Sequence, residues 1–136
     1  MQDVVVLKGR KIVKGRAEGR ALMTREAISF MGSTDPKTGT IIERGHEIEG
    51  ECMQGKILCF PTSKGSTGGS YMLYDAVKRG VGPIGIVNIQ AESIAVIGAI
   101  VSDLPMVDGI DISQIRTGDY VELNADAGVV KVYRDR

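Results

Sequence analysis

At 136 residues the chain has the length of one compact domain, and its 43% hydrophobic and 25% charged residues exclude a wholly disordered polymer. Seventeen Lys and Arg balance seventeen Asp and Glu, so the zero formal charge leaves no electrostatic excess for holding a polyanion or an anionic bilayer. Neither a nucleic acid nor a membrane is therefore an expected partner.

In chain order, Val4-Val5-Val6-Leu7, Arg10-Lys11-Ile12-Val13 and Arg20-Ala21-Leu22-Met23 are β-branched or apolar runs punctuated by glycines, which predicts two or three short strands joined by tight turns. The apolar pattern loosens over residues 29–45, where Ser33-Thr34-Asp35-Pro36-Lys37-Thr38-Gly39 has turn composition, and a long exposed loop is expected there. Residues 56–60, Lys56-Ile57-Leu58-Cys59-Phe60, read as a buried strand that stops at Pro61. A polar, glycine-rich stretch follows at once. Met72, Leu73, Ala76 and Val77 then fall on one helical face, with Lys78-Arg79-Gly80 as the stop signal, giving a helix over 71–80. Residues 85–89 predict another buried strand and 91–102 a second helix, so two strand–helix units emerge. A hairpin closes the chain, with 120–123 and 129–133 flanking Asn124-Ala125-Asp126-Ala127-Gly128.

The densest chemical signal lies at residues 62–70. A strand that runs through glycines into a helix collects backbone N–H groups and the positive end of the helix dipole at one place, where an anion can sit. Gly65, Gly68 and Gly69 admit close approach, Ser63, Ser66, Thr67 and Ser70 bring hydroxyls, and Lys64 brings a charge. The stretch matches neither the Walker pattern, whose lysine follows the glycine, nor the nucleophile elbow, which needs glycine where Lys64 stands. Its bland alternative is a turn and cap for the helix that follows. His46, the single imidazole, reads as a solvated residue beside carboxylates, and Cys52 and Cys59 as buried or half-buried thiols without metal-ligand spacing. The longest apolar run, 94–101, is far shorter than the roughly 18 to 20 residues of a spanning helix, and no signal pattern opens the chain, so a cytoplasmic location is expected.

Taken in order, Gly9-Arg10, Gly15-Arg16-Ala17-Glu18-Gly19, Ser29-Phe30, Asp35-Pro36-Lys37-Thr38-Gly39, Gly45-His46, Lys64-Gly65-Ser66-Thr67 with Ser70, and Pro83 resemble the swivel-domain, small-subunit members of the aconitase X family over nearly the whole chain. The resemblance implies an α/β fold, a single swivelling β/β/α domain over 1–136 with a barrel-like sheet and helices. It implies a hydro-lyase subunit that acts only with a large subunit, dehydrating (R)-5-phosphomevalonate to trans-anhydromevalonate 5-phosphate in an isoprenoid pathway. Dehydration of cis-3-hydroxy-L-proline or another hydroxy acid is the competing activity, and an anion-binding module without chemistry the competing class. An iron–sulfur cluster, expected as [4Fe-4S], belongs by this resemblance to the large subunit, where one iron acts as Lewis acid on the departing hydroxyl. This chain is then expected to bring the proton-abstracting base, Ser66, with Ser63 as the rival position. Lys64, Gly65, Thr67 and Ser70 are the expected substrate-binding residues. Lys64 stands where many relatives look to have arginine, so it keeps the charge without the bidentate fork. Residues 29–39 are expected to form the rim or the subunit contact.

Overall fold

The computed structural model describes residues 3–134. Three strands open the chain, β1 (Val4–Lys8), β2 (Arg10–Val13) and β3 (Arg16–Met23). After a long irregular segment come β4 (Ile57–Phe60), helix α1 (Gly69–Lys78), β5 (Gly85–Asn88), helix α2 (Ser93–Ser102) and β6 (Met106–Asp108). A single 3-10 turn at Ile112–Gln114 precedes the hairpin of β7 (Tyr120–Asn124) and β8 (Val129–Tyr133).

All eight strands share one sheet in the order β1-β8-β7-β3-β4-β5-β6-β2. Its β1-to-β3 half is antiparallel, while β3, β4, β5 and β6 run parallel, as the two strand–helix units require. The edge strands β1 and β2 lie at opposite ends of this order yet are separated in sequence by Gly9 alone. The sheet must therefore curl until its edges meet, which gives the barrel-like shape. The Gly9 N–H donates to the Gly128 carbonyl at 2.8 Å and fastens that corner to the C-terminal hairpin. The mixed α/β architecture expected from the sequence is the one observed.

Strand β4 is buried on both faces, and its side chains alternate between two cores. Leu58 and Phe60 join the layer under α1 and α2, with Phe30, Leu73, Ala76, Ile86, Ala95 and Ala99. Ile57 and Cys59 point into the curled sheet, with Val87, Val107, Val121, Leu123 and Val130. Phe30 and Phe60 meet edge to face with ring centroids 5.9 Å apart.

Several sequence expectations shift. Helix α1 starts two residues before the expected position and ends at Lys78, and α2 starts at Ser93, behind the N-cap Glu92, whose carboxylate accepts from the Ile94 N–H. Strand β6, three residues long behind Pro105, is too short to carry a periodic signal and was not expected. The exposed loop expected over 29–45 is instead anchored in the core. Phe30, Ser33, Thr34 and Ile41 are buried there, and bridges tie Thr34 to Ile41 and Thr40 to Cys52. Turn composition gave no weight to the apolar anchors Phe30 and Ile41, nor to the burial of Ser33 and Thr34. No helix among the described residues is long and apolar enough to cross a membrane.

An acid-sensitive clasp joins this segment to the end of β3. Glu47 accepts from the Arg25 N–H at 2.6 Å, from the Arg25 guanidinium at 2.6 and 2.9 Å, and from the Thr24 hydroxyl at 2.9 Å. Those donors, the Arg25 N–H foremost, hold its carboxyl down at about 2. A carboxyl lowered on folding contributes stability above its unfolded pKa and loses it as pH falls through the folded value. Thermal midpoints of the wild type and Glu47→Gln, measured from pH 6 to pH 2, should therefore differ most at pH 6, with the wild type higher, and converge near pH 2.

Candidate active-site loop

Parallel strands aim their carboxyl ends at the usual ligand position of α/β sheets, and β4 delivers residues 61–68 there before α1 begins. A hollow of about 740 Å³, lined by Gly55, Gly82, Pro83, Ile84, Pro105 and others, lies at the opposite, amino ends of β4 and β5. The glycine-rich stretch singled out above lies at the carboxyl end of β4.

Ser66 is exposed, and its Oγ accepts from the Gly68 N–H at 3.3 Å. Helix α1 is capped by Gly68, with no side-chain cap hydrogen bond, so Ser66 is not the N-cap residue. Two further N–H groups of the turn are occupied, Gly69 by the Ser66 carbonyl at 2.9 Å and Ser70 by the Thr67 carbonyl at 3.3 Å. The Gly69 and Ser70 N–H groups are thus committed within the turn, and the Gly68 N–H faces the Ser66 oxygen. Met31 packs over this turn, within 2.9 Å of where a Cβ on Gly68 would lie.

The neighbouring hydroxyls are placed differently. Ser63 is 4% exposed, donates to Glu92 Oε1 at 2.5 Å and accepts from the Ala95 N–H at 3.3 Å, which binds it into the start of α2. Ser70 donates to the Ile94 carbonyl at 2.6 Å and so fastens α1 to α2. Thr67 is exposed beside it, on a shallow apolar groove with Tyr71, Tyr74, Ile97 and Val101. Lys64 is half exposed and reaches Glu43, Nζ to Oε2 3.6 Å, while its N–H donates to the Ile28 carbonyl at 3.0 Å. Gly65 has φ +93°, and a Cβ there would collide with Ser29 Oγ. The structure thus brings Lys64, Gly65, Ser66 and Thr67 to one exposed surface and turns Ser63 and Ser70 into the helix layer.

Residues 29–46 are the part of this surface that sequence reasoning did not resolve. Ser33 is fully buried and donates to Glu43 Oε1, the Ser29 N–H donates to Ser33 Oγ at 3.1 Å, and Ser29 Oγ lies against Gly65. The Ser33 hydroxyl, followed by the charge of Lys64, holds the Glu43 carboxyl below the ordinary carboxylate range. Glu43 carried no sequence signal beyond its nearness to His46, because its partners lie 10 and 21 positions away. His46 is not solvated as expected. Its ring is enclosed, with Nε2 donating to the Ala27 carbonyl at 3.1 Å and Nδ1 accepting from the Ile48 N–H at 3.3 Å, which makes it a brace under the segment.

An iron–sulfur cluster requires several converging thiolates. Cys59 is fully buried inside the curled sheet, where burial pushes its thiol far up, and it reaches only the Ile57 carbonyl. Cys52 is half-buried and reaches the Thr38 carbonyl at 3.5 Å. Among the described residues no three His, Cys, Asp or Glu side chains are grouped to hold a metal ion, so this chain's own residues do not fit such a group.

The aconitase X swivel domain matches residues 6–132. The crystal structure of Thermococcus kodakaraensis aconitase X in its holo-form is similar with a TM-score of 0.92 and 47% identity, covering 94% of this chain and 98% of that one. The phosphomevalonate dehydratase small subunit of Thermococcus sibiricus is 51% identical over 126 residues, 93% of this chain and 97% of the relative. That of Methanosarcina acetivorans is 42% identical over 135 residues, 97% of this chain and 94% of the relative. A curled eight-stranded sheet with two helices, and a profile match from the first strand to the last, place this chain in the aconitase X swivel-domain family.

Proposed function

We propose that this chain is the small subunit of a two-chain hydro-lyase that removes water from (R)-5-phosphomevalonate to give trans-anhydromevalonate 5-phosphate. The observation that carries the reading is full-length similarity, at 42% and 51% identity, to subunits named for that activity. In this reading 1–136 is one swivel domain, acting in the cytoplasm beside a large subunit that carries the iron–sulfur cluster.

Ser66 is the proposed base. Ser66 is exposed, and the N–H of Gly68 faces its oxygen, so an alkoxide there has a fixed donor. Ser66 Oγ, presented as the alkoxide once its own proton has passed to solvent, takes the proton from the carbon beside the carbinol carbon and returns to the hydroxyl. That C–H electron pair becomes the new double bond as the hydroxyl leaves, and departure of the hydroxyl is the large subunit's task. Lys64 and the backbone at Gly65 face the anionic substrate, Thr67 closes the edge of the pocket, and Ser70 acts by holding the turn on α2. Ser63, the rival base, has its proton and its oxygen engaged with Glu92 and Ala95 in the helix layer, which favours Ser66.

Anaerobic co-expression with the large subunit, followed by assay of 5-phosphomevalonate, tests the reading. Turnover that needs both chains is expected. A complex with an intact cluster that spares 5-phosphomevalonate and dehydrates cis-3-hydroxy-L-proline would overturn the substrate assignment, and failure to form any complex would overturn the subunit assignment.

A further inference from the structure

The residues behind the loop form a continuous chain of contacts. Buried Ser33 fixes Oε1 of Glu43, which leaves Oε2 to face Lys64 Nζ at 3.6 Å. The Glu43 side chain is 34% exposed and that of Lys64 50%, so the carboxylate is the anchored partner and the four-carbon lysine stem the mobile one. Lysine loses rotamer freedom when fixed. A preset carboxylate removes part of that cost before any ligand arrives. An ammonium has three N–H donors, and one directed at Glu43 leaves two for an anion. The same segment touches the loop again one residue on, where Ser29 Oγ lies against Gly65.

We infer that Glu43 is a positioning residue, which holds the Lys64 ammonium in place beside Ser66 so that it receives the anionic end of the substrate. This rests on the dehydratase reading and deepens it, since Glu43 acts through Lys64 and does not touch the reacting carbon. The segment that turn composition marked as a loop thereby acquires its part in the site: it supplies the fixed end of the Lys64 clamp.

The test is a double-substitution cycle in the two-chain enzyme, with Glu43→Gln, Lys64→Met and both together. Half-exposed pairs of this kind are modest, so Glu43→Gln should raise KM for 5-phosphomevalonate roughly threefold to tenfold with kcat nearly unchanged. In the Lys64→Met background the same change should do nothing further, and Glu43→Asp should restore part of the loss. Equal KM penalties from Glu43→Gln with and without Lys64 would overturn the inference and leave the dehydratase reading intact. A second measurement needs no turnover: the Glu43 carboxyl is titrated by carbon NMR in the full-length small chain. Lys64→Met should raise its midpoint, with Ser33 and His46 still present as its other neighbours. An unmoved midpoint would overturn the pairing even if the wild-type enzyme proved to act on a different hydroxy acid.

Discussion

Ser66→Ala, assembled with the large subunit, should lose turnover by roughly 10²- to 10⁴-fold, the usual contribution of a positioned proton-transfer group. Both kcat and kcat/KM should fall together, because the bond between the serine oxygen and the departing proton forms only in the transition state. The fold should scarcely respond. Ser66 is exposed, its hydroxyl is not the cap of α1, and its one hydrogen bond, from the Gly68 N–H at 3.3 Å, is long. Unfolding in urea should shift by no more than about 0.5 kcal/mol, and the variant should purify with its partner in wild-type proportion. The competing module, in which the serine only shapes a turn, demands the opposite pattern of a small stability loss with activity retained. Turnover within threefold of wild type would remove Ser66 as the base. Ser63→Ala is the companion variant. It strips the Glu92 carboxylate and the Ala95 N–H of a shared buried partner, so its effect should appear first in stability, by about 1–3 kcal/mol.

That difference between two serines three residues apart also shows how far the sequence could be read. A short apolar run ended by Pro61 and followed by glycines was enough to place β4, the loop and α1, since each depends on residues adjacent in the chain. The C-terminal hairpin was legible for the same reason. What the polar side chains of the loop do depends on contacts from elsewhere: Ser63 is claimed by Glu92, Ser70 by the Ile94 carbonyl, and Lys64 by Glu43. Strand pairing was equally hidden. Nothing in the run Val4-Val5-Val6 says that β1 will pair with β8 at the far end of the chain, or that Gly9 will mark the seam of a curled sheet. The segment 29–45 misled most, because its burial comes from Phe30 meeting Phe60 and from Ile41, while their neighbours Met31 and Ile42 stay exposed, so no repeated face marks the buried ones. Periodicity detects repeated faces and has no response to single anchors.

Gly65→Ala should be the most damaging change in the loop that leaves Ser66 itself in place. At φ +93° an L side chain is strained wherever it points, and here the added methyl also runs into Ser29 Oγ. Ser29 has little room to withdraw, since its N–H is bonded to the buried Ser33 hydroxyl and its Oγ accepts from the Gly32 N–H at 3.2 Å. The chain must therefore yield at Gly65, between Lys64 and Ser66, which moves the charge and the base together. A displacement near 1 Å costs on the order of 10²-fold in rate, so turnover should fall by about that factor while the complex still forms. Two causes contribute, and a second substitution separates them. Ser29→Ala in the Gly65→Ala background removes the oxygen that the new methyl meets, leaving only the Ser29 Cβ, 3.1 Å from the added Cβ. Partial recovery of kcat would assign the loss to the collision and show that the 29–46 segment sets the position of the loop. No recovery would assign it to the backbone at Gly65 alone, and the segment would then be a cover over the core with no part in placing Ser66.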